Sequence, residues 1–93
     1  MRVAVVVFDG VTALDVSGPS EVLHQAGRLG HPCELLLVSP RGGQVATSSG
    51  PVLAGAIAAA DAGPVDTVVV AGGDRLLQAV QALCREHDVL TVA

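Results

Sequence analysis

Few side chains in this 93-residue chain are of a type that does chemistry, and their spacing narrows the choice further. Gly72, Gly73 and Asp74 separate the apolar run DTVVVA from RLLQAVQALCREH. Backbone amides exposed at such a strand-to-helix turn could hold an anion or a developing oxyanion. The plainer alternative is a tight turn that takes glycine for positive φ or close approach. There is no G-x-G-x-x-G fingerprint and no Gly-Lys-Ser/Thr phosphate loop. Asp15 lies between Leu14 and Val16, ahead of a helical pattern. An acid among apolar neighbours near strand ends could be desolvated, which favours its neutral form. Its alternative is a helix cap or turn aspartate.

The remaining reactive types form no constellation. Cys33 opens a strand pattern and Cys84 falls on the apolar side of a helical one, so both read as packing residues. Two distant cysteines make neither a disulfide framework nor a zinc site. His24, His31 and His87 share no ligand spacing and are expected to face solvent. No triad, metal cluster or acid pair can be assembled, and no cofactor is implied.

The elements that must position Asp15 and the glycines follow from the apolar periodicity. Residues 2–8, RVAVVVF, are a β-branched run ended by Asp9 and Gly10, which predicts a strand and a turn. Gly18 and Pro19 predict a helix entrance, with Glu21 in its first turn. Val22, Leu23, Ala26 and Leu29 would form its buried stripe. Residues 33–38, CELLLV, predict a second strand, residues 39–43 a loop, and QVATSSG a short extended piece closing at Gly50. The alanine-rich AGAIAAADAG is expected to be a weak helix or a covering surface loop. DTVVVA, apolar on both faces, predicts a central strand. Residues 75–87 predict a helix, and VLTVA at 89–93 a further strand. Strands alternating with helices in this order predict an α/β doubly wound, mainly parallel sheet. No repeat or linker divides residues 1–93, which read as one partial domain.

Composition sets the outer limits. Hydrophobic residues make up 51% and charged residues 15%, a mixture that buries well. Phe8 is the only aromatic residue, so the core must be built from Val, Leu and Ala. A net charge of −4, with all five basic residues scattered arginines, argues against nucleic-acid contact by this segment. The run 3–8 is too short to span a membrane, and the cytoplasm is the expected compartment.

Three stretches taken together, VVVFDGVTALDVSGPSEVL, VSPRGGQVATSSGPVL and DTVVVAGG, resemble the ThiJ/PfpI superfamily, the class I glutamine amidotransferase-like domain. The ordered motifs are LD-x-x-GP-x-EV and S-x-x-G-x-x-V-x-TSSG. The subgroup they resemble most is the N-terminal domain of AraC-type transcription regulators; isocyanide hydratases share much of the pattern. The resemblance implies a flavodoxin-like three-layer sandwich, usually a homodimer, with a reactive cysteine on a strained turn after the next strand. That strand would be VLTVA, and Ala93 falls where the elbow is expected to begin, so the chain is expected to stop before its nucleophile. Neither Cys33 nor Cys84 occupies that position. The resemblance makes Asp15 the acidic partner of the cysteine and puts the backbone of Gly72 and Gly73 on the same pocket. It implies a ligand-sensing domain for a small molecule, inactive alone, or the front of a hydratase-like or amidase-like cysteine enzyme.

Overall fold

The computed structural model describes residues 1–73. The helix expected at 75–87 and the strand at 89–93, with Cys84 and His87, lie outside the described residues. Five strands form one sheet: β1 (Arg2–Val6), β2 (Glu34–Ser39), β3 (Gly43–Ala46), β4 (Val52–Ala58) and β5 (Thr67–Val70). One helix, α1 (Ala13–Arg28), connects β1 to β2, and a single 3-10 turn covers Ala59–Asp61. The strand order is β3-β4-β2-β1-β5. All pairings are parallel except β3 with β4. This is the mainly parallel α/β sheet that the alternation of elements predicts.

Period-2 alternation explains the layers. Val5 and Val7 point to one face, where Val16 of α1 meets them and Leu35 and Leu37 pack alongside. Ala4, Val6, Leu36 and Val38 point to the other, which Ala59, Ala62 and Val65 cover. A strand buried on both faces must be apolar throughout, and residues 3–8 are all buried.

β1 is held by β2 on one side and by β5 on the other. Among the described residues β5 pairs with β1 alone, and the strand expected at 89–93 lies outside them. Two expectations need correction. Of residues 54–63, expected to be a weak helix or loop, 54–58 belong instead to β4, which pairs with β3 and with the end of β2. Two partners with free hydrogen-bonding edges override the helix preference of alanine there.

The helix also begins earlier than Pro19. Its N-cap is Thr12, and Pro19 sits inside it. An internal proline costs about 3 kcal/mol, but starting at Pro19 would remove Val16 from the cluster over β1. The face toward the sheet is therefore Val16, Ser20, Leu23 and Gly27, spaced i, i+4, i+7 and i+11; Val16 is buried and the other three half-buried. Of the expected stripe, Leu23 and Ala26 are half-buried, while Val22 and Leu29 are exposed at 68% and 81%.

Candidate functional site

In a parallel sheet the chain segments that leave the carboxyl ends of the strands converge, and ligands collect there. At that edge β1 continues as residues 7–12. Val7 N–H donates to Val38 C=O at 2.8 Å, keeping this extension on β2. Gly10 turns the chain with φ 91°, and Val11 N–H closes the turn onto Phe8 C=O at 2.9 Å. Val11 is fully buried and bridges Thr47 on one side and Gly73 on the other. Thr12 N–H then donates to Gly72 C=O at 2.9 Å as the chain enters α1.

The corner built this way brings Asp15 and the two glycines together. Asp15 lies in the first turn of α1, where a carboxylate favours the helix dipole. A Cβ at Gly72 would stand 2.8 Å from Asp15 Oδ2. A Cβ at Gly73 would stand 2.7 Å from Gly10 O and 2.9 Å from Val11 Cα. Both glycines are thus required for close approach: Gly72 leaves room for a carboxylate, and Gly73 for another stretch of backbone.

Asp15 is exposed, not desolvated. In a helix, sequence neighbours stand about 100° apart, so Leu14 and Val16 do not enclose the acid between them. Val16 turns inward, while Leu14 is 74% exposed. Asp9, next along the edge, has a different occupation: its Oδ1 accepts the Ala46 N–H at 3.0 Å.

The other candidates remain apart. His24 and His31 are exposed, as expected. Cys33 is half-buried, not a core residue, and lines a cleft of about 320 Å³ with Leu23, His24, Arg28 and Pro32. It precedes β2 by one residue, so the sheet's packing does not close over it. Among the described residues no group of three His, Cys, Asp or Glu side chains could hold a metal ion. A second cleft, of about 390 Å³, runs between α1 and the sheet, lined by Val5, Val16, Ser17, Leu35, Leu37 and Leu53. It lies behind the helix and is apolar, and Ser20 Oγ at its rim donates to Val16 C=O at 2.6 Å. Sequence reasoning missed it; the small residues Ser17 and Ser20 on an otherwise apolar helix face were the available signal.

No protein-family model matches the chain. It is 45% identical over 75 residues to the uncharacterized protein in the cpoL 5′ region of Streptomyces lividans, covering 81% of this chain and 53% of that protein. Its fold is similar to the crystal structure of an AraC family transcriptional regulator from Pseudomonas putida, with TM-score 0.68 and 25% identity over 80% of this chain and 48% of the other. It is also similar to the DJ-1 superfamily protein Atu0886 from Agrobacterium tumefaciens, with TM-score 0.64 and 18% identity over 96% of this chain and 51% of the other. The chain therefore spans about half the length of each of these proteins.

Proposed function

We propose that this chain, which has the flavodoxin-like fold of the ThiJ/PfpI (DJ-1) superfamily, is the front part of a small-molecule-sensing domain in an AraC-type transcription regulator. In this reading Asp15 and the backbone at Gly72 and Gly73 form two borders of the sensing pocket. One observation carries it: Asp15 Oδ2 occupies the space that any Cβ at Gly72 would need. A carboxylate and a bare peptide edge meet at the carboxyl end of a parallel sheet, where ligands bind in such folds. The likeness to the Pseudomonas putida regulator supports sensing over catalysis.

DNA contact belongs, on this reading, to another part of the intact protein. The chain's net charge of −4 disfavours phosphate. The intact domain is a homodimer in the cytoplasm. Exposed apolar side chains at Leu14 and Val22 of α1, and at Leu29 just past its end, support a second copy.

The test is thermal unfolding of the intact protein against a panel of small polar metabolites. A sensed ligand should raise Tm by several degrees through preferential binding to the folded state. Asp15→Ala should remove that rise, whereas Glu21→Ala on the exposed side of α1 should keep it. A ligand that stabilises the Asp15→Ala protein as strongly as the wild type rules out this corner. Turnover of the ligand would select the cysteine-enzyme reading instead.

A further inference from the structure

The TSSG segment, residues 47–50, is the part of the sequence motifs that the sensing reading leaves unused. In the structure it is a turn, closed by Gly50 N–H donating to Thr47 C=O at 3.3 Å. Thr47 is buried and doubly fixed: its N–H and its Oγ1 both donate to Pro51 C=O, at 3.0 and 2.6 Å. Ser48 N–H points the other way and donates to Val11 C=O at 2.9 Å. Together with Gly10 N–H on Ala46 C=O at 2.8 Å and Ala46 N–H on Asp9 Oδ1, this joins residues 9–11 to the β3–β4 hairpin. The opposite side of the same segment carries the Asp15 corner, through Thr12 N–H on Gly72 C=O and the bridge from Val11 to Gly73.

From this arrangement we infer that the 47–50 turn is a positioning element: it sets the register of Val11, and through Val11 the contact of Thr12 and Asp15 with Gly72. The hairpin and the pocket border then move as one unit. Any group that moves one shifts the other, because coupling between two sites is reciprocal. The inference rests on the sensing reading only for the purpose it gives the corner. The contacts themselves need no ligand, so the test below is independent of that reading.

The test is amide hydrogen exchange by NMR on the intact protein. Ser48→Pro replaces the N–H that reaches Val11 by the ring Cδ, which breaks that bond and pushes the Val11 carbonyl away. Proline is favoured at the second position of such a turn, and neither Ser48 nor Ser49 has positive φ. The Thr12 amide, bonded to Gly72, should exchange about tenfold faster, while the Val7 amide, bonded to Val38, keeps its rate. Thr47→Val, which loses the hydroxyl bond to Pro51, should act in the same direction, and Thr47→Ser should restore the wild-type rate. A uniform rise at Thr12 and Val7 would mean lost stability and no positioning, and would overturn the inference. So would an unchanged rate at Thr12. If Ser48→Pro does not fold, the Thr47→Val and Thr47→Ser pair decides by the same criterion.

Discussion

The two edges of the sheet are held together by different means. At the amino edge two backbone bonds, Glu34 N–H to Met1 C=O at 2.7 Å and Asp66 N–H to Arg2 C=O at 2.8 Å, are supplemented by one long charged residue. Arg2 Nη1 donates to Pro64 C=O at 2.8 Å, and its Nε lies 3.3 Å from Glu34 Oε2. Its backbone N–H reaches Asp66 Oδ2 at 2.7 Å. At the carboxyl edge, Asp9 Oδ1 on Ala46 N–H apart, the contacts are peptide to peptide, and they converge on Val11, which has no exposed surface. A flexible, half-exposed arginine can lose a partner and find water. Packed backbone cannot, because its neighbours have fixed positions and an added atom has nowhere to go. The amino edge should therefore tolerate substitution, and the carboxyl edge should constrain it. The proposed site lies at the constrained edge.

Four substitutions test this contrast, in falling order of expected effect. Gly73→Ala places a methyl group against Gly10 O and Val11 Cα, both backbone atoms. Overpacking of this kind costs about 3 kcal/mol, seen as a lower urea midpoint with an unchanged slope. A cost near zero would show that the edge can yield, and the contrast would fail.

Val11→Ala comes next. It deletes buried methyl groups at the point where three segments meet, for about 2 kcal/mol. Gly72→Ala should cost less, about 1 kcal/mol, since the atom it meets is the end of a movable side chain, Asp15 Oδ2. That origin can be isolated: in an Asp15→Ala background the same Gly72→Ala change should cost close to nothing. Full additivity of the two changes would mean that the carboxylate and the glycine do not share a site.

The smallest effect is expected at the other edge. Glu34→Gln removes an ion pair whose side chains are 38% and 61% exposed, and should change stability by less than about 0.5 kcal/mol. Added salt should shrink even that difference. A loss above 1 kcal/mol would place Arg2 among the determinants of the fold and reverse the comparison.

The motif spacings acquire physical meaning from the same contacts. In S-x-x-G, Ser39 Oγ accepts the Gly42 N–H at 2.7 Å, closing the loop that leads into β3. In TSSG, Thr47 Oγ1 closes the turn that leaves β3. Both are local side-chain-to-backbone bonds, the kind that a short spacing encodes.

Local pattern alone determined β1, β2, the helix between them and the mainly parallel α/β class, because periodicity and β-branching act over a few residues. It also singled out Asp15, Gly72 and Gly73, through motifs whose residues lie 57 positions apart from Asp15 to Gly72. Other features were set by partners distant in the chain. The place of β5 depends on its pairing with β1, and the strand at 52–58 on the edges that β2 and β3 offer it. The helix start was misread from Pro19 because a strong local signal was outweighed by Val16 packing over β1. Asp15 is exposed for the same reason, since an earlier start rotates it out from between its sequence neighbours. Its contact with Gly72 is a tertiary fact: it exists only because Val11 holds the end of β1 against the turn that follows β5.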